Sequence, residues 1–176
     1  MALQLIIDGY NLIRQTPELR VYEKKDLELG RKVLLDKLLI YLRAKKHPIV
    51  VVFDGWIEGH FAENRTMVGA IQVIFSRQGE KADEVIKRIA SQKGEEAIVV
   101  TSDRDLGYSC SLSGCTVVSS QEFADKIEMV EYLQLKGKAE PEENETGCGL
   151  KGTKKKGPSR RLPKSRRRYR NRVEKL

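Results

Sequence analysis

Apolar residues fall into short continuous runs separated by stretches with helical spacing. Leu3–Ile7, Ile49–Phe53, Ala97–Thr101 and Cys115–Val118 read as strands, as does Ile71–Phe75 despite its interruption at Gln72. The runs are too uniformly apolar for a sheet with one wet face, so they suit central positions in a parallel sheet. Leu27–Arg43 instead places Leu27, Val33, Leu34, Leu38, Leu39 and Leu42 along one helical face, leaving Arg31, Lys32, Lys37 and Arg43 on the other. Lys46-His47-Pro48 ends that pattern. A second helix is expected over Lys81–Gln92, and a last one, capped by Ser119 or Ser120, ends near Leu133. Residues 55–70, with Trp56, His60, Phe61 and Arg65, read as a connecting excursion. The alternation predicts an α/β domain over residues 1–135: three layers around a mostly parallel sheet of about five strands.

Charge separates the remainder from this body. Residues 136–176 hold 15 Lys or Arg against 5 Asp or Glu, a net +10, whereas residues 1–135 hold 18 against 20, a net −2. The tail has too few apolar groups to offset the entropy of ordering it, so it is expected to be disordered when free. A basic terminus on a neutral body suggests a polyanionic partner, with affinity that falls with salt; a merely solubilising terminus is the bland alternative. Cys110, Cys115 and Cys148 lack a paired-ligand spacing and only His47 and His60 accompany them, which argues against structural zinc and for free thiols. The first apolar run meets Asp8 without a preceding basic region, so it reads as a strand of the mature fold. No membrane span is expected, and the protein is read as cytoplasmic.

The position of the acids points to chemistry. Asp8 ends the first strand, Asp54 the second, and Asp103 and Asp105 follow the fourth. In a parallel sheet those ends share one edge, where open α/β folds bind ligands. Glu80 and Asp83 can reach it from the start of a helix. Gathered carboxylates repel unless a cation or proton compensates them, and oxygen ligands alone favour Mg²⁺ or Mn²⁺. Asn11 adds a neutral oxygen and an amide. Each acid also has a structural reading: Asp54-Gly55 makes a turn, Glu80 suits a first helical turn, and Asp105 is the weakest of the set.

The segments Ile7-Asp8-Gly9-Tyr10-Asn11, Val52-Phe53-Asp54-Gly55, Gly79-Glu80-Lys81-Ala82-Asp83-Glu84 and Val100-Thr101-Ser102-Asp103-Arg104-Asp105 resemble the signature of YacP-like proteins. These form part of the NYN branch of the PIN-like nuclease superfamily, and the likeness covers about residues 1–135. It implies a PIN-like fold and metal-dependent hydrolysis of RNA phosphodiesters. It maps the acidic, metal-binding cluster onto Asp8, Asp83 and Asp103, with Asn11 and Ser102 beside it; Asp54, Glu80 and Asp105 are secondary candidates. One bacterial branch is associated with cleavage of mRNA on translating ribosomes, which would give the tail an rRNA partner.

Attack by an activated water would leave 5′-phosphate and 3′-hydroxyl ends. Tyr10 could stack on a base, and Arg14, Arg65, Arg77, Lys81 and Arg104 are candidate phosphate contacts, Arg77 foremost. Lys154-Lys155-Lys156 and Arg166-Arg167-Arg168-Tyr169-Arg170 resemble an arm that orders on a phosphate backbone. Competing readings are an inactive PIN-like module binding RNA or ribosomes, and a DNA-directed relative. A phosphatase or receiver fits less well, since the needed aspartate nucleophile and phosphate-sensing Lys arrangement are not evident, and so does a dinucleotide-binding domain, since Gly9 and Gly55 are isolated rather than forming a glycine cradle. The number of ions, the cleavage sequence and the oligomeric state are not legible.

Overall fold

The computed structural model describes residues 3–55, 63–137 and 164–176. Strand β1 (Gln4–Asp8) leads into helices α1 (Gly9–Gln15), α2 (Pro17–Lys25) and α3 (Leu27–Lys45). Strand β2 (Ile49–Phe53) is followed by the hairpin β3 (Asn64–Val68) and β4 (Ile71–Phe75), then helix α4 (Ala82–Lys93) and a 3-10 turn. Strand β5 (Ala97–Val100), α5 (Arg104–Leu112), β6 (Thr116–Val118), α6 (Ser120–Gly137) and α7 (Lys164–Val173) complete the order.

The sheet runs β3-β4-β2-β1-β5-β6, parallel throughout except where β3 pairs antiparallel with β4. Strand side chains alternate between two cores. Leu5, Ile7, Val51, Phe53, Ile98 and Val100 pack beneath Leu12, Leu34, Leu38, Tyr41 and Phe123 from the helices on one face. Ile6, Val50, Val52, Ile74 and Val99 meet Val85, Ile86 and Ala90 of α4 and Leu106 of α5 on the other. Both faces are covered, as the uniformly apolar strands require. The three-layer, mostly parallel expectation is met.

The sheet has a sixth strand beyond the five expected. Strand β3 reads Asn-Arg-Thr-Met-Val, is largely exposed and lies at the edge, so no hydrophobic alternation marks it. Helix α2 buries only Leu19, and α5 spans nine residues and buries Leu106, Gly107 and Cys110, so neither offers a long apolar run. Trp56, His60, Phe61, Cys148, Lys154, Lys155 and Lys156 lie outside the described residues.

Of the basic C-terminal segment, residues 164–176 carry the last helix. Helix α7 docks on the body: Arg172 donates to Thr116 Oγ1 at 2.8 Å and Lys126 Nζ to the Val173 carbonyl at 2.8 Å. Tyr41 Oη donates to the Leu176 carbonyl at 2.8 Å, and the Leu176 side chain is only 2% exposed within the main core. A few apolar residues among many cations therefore suffice to seat this helix, a signal that net composition hides.

Candidate active site

Chain order places β1 between β2 and β5, so the sheet reverses direction of growth beside β1. Such a switch point opens a crevice at the carboxyl ends of the strands. Asp8 ends β1, and its extended backbone lets Oδ1 accept from the Asn11 N–H at 3.3 Å, capping α1. Asp103, just beyond β5, caps α5 in the same way, accepting from the Leu106 N–H at 2.9 Å. Asp83 stands in the first turn of α4. Asp54 follows β2 and accepts from Ser76 Oγ at 3.4 Å.

These four carboxylates line one cleft of about 450 Å³ together with Tyr10, Asn11, Arg14 and Lys81. Burial drives the Asp8 carboxyl up to about 6, and the Asp83 and Asp103 charges add to it. The Asn11 N–H and the Thr101 hydroxyl pull the other way. Asp83 is also raised, first by burial and then by Asp103, against Lys87 and Lys81.

Thr101 is the residue that reasoning from sequence missed. Its hydroxyl donates to Asp8 Oδ2 at 3.2 Å and accepts from the Asp103 N–H at 3.1 Å. One buried oxygen thus sets the spacing between two acids from different strands. The available signal was the hydroxyl two places before an acid at a strand end. Asn11 plays a related part: Oδ1 accepts from the Ser102 N–H at 3.0 Å and from Ser120 Oγ at 2.7 Å. Its amide NH₂ is what remains for a ligand. Ser102 Oγ accepts from the Ser120 N–H at 3.1 Å, a structural duty at the start of α6.

Other candidates stand apart from the cleft. Glu80 is buried but bonded by Arg88 at 2.6 Å and Arg77 at 3.3 Å, which accounts for it as a neutralised structural acid. Arg77 is thereby engaged as well. Arg104 and Asp105 are exposed in the first turn of α5, outside the cleft lining. Arg65 pairs with Glu63 at 2.6 Å on the edge strand. Tyr10 lines the cleft yet packs edge-on to Phe53, accepts from Arg31 at 3.1 Å, and carries Arg14 over its ring. On α7, Arg168 pairs with Glu95 and Arg170 with Glu174, while Arg167 is exposed. Nothing is described of the Arg166 side chain.

Among the described residues, no three His, Cys, Asp or Glu side chains stand as a ready group to hold one ion. The cleft nevertheless offers only hard oxygen donors, with neither His nor Cys in its lining. The buried Asp8 is repelled by the charges of Asp83 and Asp103, and Arg14 is already paired with Glu23 at 3.0 Å. That donor set fits a hydrated divalent cation of the Mg²⁺ kind, which keeps several waters and needs only one or two direct carboxylates. No helix among the described residues is long and apolar enough to cross a membrane.

A family model described as the YacP-like NYN domain matches residues 5–167, reaching well into the basic C-terminal stretch. YacP of Bacillus subtilis (strain 168) is 29% identical over 130 residues, spanning 72% of this chain and 76% of that protein. The crystal structure of Rae1 (YacP) from Bacillus subtilis superposes with a TM-score of 0.62 at 27% identity, over 79% of this chain and 80% of that one. A single-substitution variant of it gives 0.66 at 26% identity, over 76% and 80%. With a switch-point cleft of carboxylates on a mostly parallel sheet, the chain belongs to the YacP-like NYN domain family of the PIN-like nuclease superfamily.

Proposed function

We propose that the protein is a divalent-metal-dependent endoribonuclease acting on RNA phosphodiester bonds. The observation that carries it is the convergence of Asp8, Asp54, Asp83 and Asp103, from four separate elements, on one cleft flanked by Lys81 and Arg14. Asp8, Asp83 and Asp103 would hold Mg²⁺ or Mn²⁺, in part through water. The ion, when bound, supplies charge neutralisation for the phosphate and a lowered pKa for an attacking water.

The chain's own groups do the rest. Thr101 and the α1 and α5 N–H groups hold Asp8 and Asp103 at fixed spacing, so no reorganisation is needed as charge develops. The Asn11 amide is placed to orient a water or a phosphate oxygen. Lys81 meets phosphate as a point charge from the α4 end of the cleft. Water adds to phosphorus, the P–O3′ bond breaks, and the 3′-oxygen takes a proton, leaving 5′-phosphate and 3′-hydroxyl ends.

The basic stretch over residues 136–176 adds affinity for polyanions, and mRNA on the ribosome is the substrate the family resemblance favours. Cytoplasmic action follows from that substrate. An inactive RNA- or ribosome-binding module is the second reading, favoured by the lack of a ready three-ligand group among the described residues.

Asp83 has no hydrogen bond among the described residues, so Asp83→Asn should spare structure while removing a ligand. Defined RNA and DNA strands, incubated with Mg²⁺, Mn²⁺ or chelator, should show RNA cleavage that needs metal and is lost by at least ~100-fold in Asp83→Asn. Full activity in that variant, or in chelator, sinks the metal-nuclease reading. Binding to RNA or ribosomes without cleavage, including on translating ribosomes, selects the inactive module.

A further inference from the structure

A phosphodiester entering a cleft of four carboxylates is repelled until metal arrives. The strand on either side must therefore be held by cations outside the acidic zone. Lys81 supplies one on the α4 side. On the other side a second groove, of about 410 Å³, runs on from the cleft and shares Arg14 and Gln15 with it. Pro17, Arg20, Val21 and Lys24 of α2 form the remainder.

Arg20 and Lys24 are four residues apart, so they stand one turn apart on the same helical face. Both are exposed, and neither has an ion-pair partner among the described residues. The neighbouring acids are already occupied: Glu23 pairs with Arg14 at 3.0 Å and Glu18 with Lys37 at 3.1 Å. Arg14, held between Glu23 and the Tyr10 ring, stands where the two grooves meet. Val21, 54% exposed, lines the same groove as the two cations, an apolar surface against which a ribose or base can lie. A solvated helix face needs no apolar residue there and no continuity with an acidic cleft.

We propose that the α2 groove binds the single-stranded RNA that flanks the scissile bond, with Arg20 and Lys24 contacting successive backbone phosphates. This rests on the nuclease reading for its register but not for its affinity. It predicts that binding depends on strand length, because a fragment short enough to fill the cleft alone never reaches Lys24.

The test compares the full chain with the Arg20→Gln/Lys24→Gln double variant. Fluorescent 12-nucleotide RNA is titrated in chelator across a salt series, and cleavage of that RNA and of a trinucleotide is followed in Mg²⁺. Each phosphate of a single strand that is no longer neutralised lowers the salt slope by about 0.7, so the double variant should fall by about 1.4 in slope and bind at least ~5-fold more weakly. Cleavage of the 12-mer should fall in kcat/KM while trinucleotide cleavage holds. Unchanged melting temperature shows that the fold is kept.

Equal affinity, slope and 12-mer cleavage in both proteins overturns the groove while leaving the nuclease reading intact. No cleavage by the unmodified chain, on the 12-mer or on translating ribosomes, together with the expected loss of binding, upholds the groove and removes the nuclease reading. If the variant instead loses only a poly-glutamate ligand and keeps RNA, the surface serves an acidic protein and the proposal falls.

Discussion

At the scale of single residues, Asp8 opposes stability to chemistry. The carboxylate is 8% exposed and faces the charges of Asp83 and Asp103, so the folded chain favours its neutral form. Its pKa rises from the ordinary 3.8 to about 6, whereas the unfolded chain titrates near the ordinary value. Between those values the folded state holds a proton that the unfolded state has released, so stability falls as pH rises through about 4 to 6. The cost is complete above that window, at about 3 kcal/mol from ~1.4 kcal/mol per tenfold. Asp8→Asn should therefore raise metal-free stability at pH 7.5 by roughly 1–3 kcal/mol, change it little at pH 4, and abolish cleavage. Urea unfolding in chelator at both pH values measures this; destabilisation at pH 7.5 would contradict it. Mg²⁺ should raise the melting temperature of the unmodified chain at pH 7.5, by mass action, and of Asp8→Asn far less. Thr101→Val removes the hydroxyl that joins Asp8 to Asp103 and should cost about 1–2 kcal/mol, with activity falling further than stability alone explains. Thr101→Ser keeps the hydroxyl and should restore most of both.

At the scale of elements, the site depends on how tightly strand ends are drawn together. Gly55 donates its N–H to Ser76 Oγ at 3.0 Å, and a Cβ built there would lie 1.9 Å from the Ser76 carbonyl oxygen. The turn after β2 thus packs backbone against backbone beside Asp54. Gly55→Ala should destabilise the fold by at least ~2 kcal/mol and weaken metal-dependent activity by displacing Asp54; wild-type values for both would show that the turn relaxes freely. This close approach also explains what was legible beforehand. Buried elements announce themselves, so the five parallel strands, α3, α4 and α6 follow from uniform apolar runs or helical stripes. The acids at the strand ends follow from the same reading, since the sheet itself aligns them. Elements with one buried anchor or none, such as α2 and β3, offer too few buried positions to mark themselves. The exclusion of Glu80 and Arg77 from the cleft was equally hidden, because spacing does not reveal the guanidinium of Arg88 folding back onto Glu80.

At the scale of the whole molecule, the basic C-terminal stretch combines a docked helix with a reservoir of positive charge. Leu176 enters the core beside Tyr41, and Arg172 reaches Thr116, so part of α7 contributes to stability. Arg168 and Arg170 are engaged by Glu95 and Glu174, whereas Arg167 points its charge into solvent. Removing everything past Gly137 would mix these duties, and a loss of RNA binding could then reflect either one. Two single substitutions separate them. Leu176→Ala empties a buried site while keeping every charge, and should lower stability by about 2 kcal/mol. Its RNA affinity at moderate salt should stay level or rise, because loosening α7 frees guanidinium groups from their carboxylate partners. Arg167→Gln leaves the docked face untouched and should hold stability within about 0.5 kcal/mol. It should lower the salt slope of RNA binding by about 0.7, the value for one phosphate neutralised on a single strand. Parallel losses of stability and RNA affinity in Leu176→Ala, with no slope change in Arg167→Gln, would mean that the seated helix itself forms the RNA surface and that docking cannot be separated from binding.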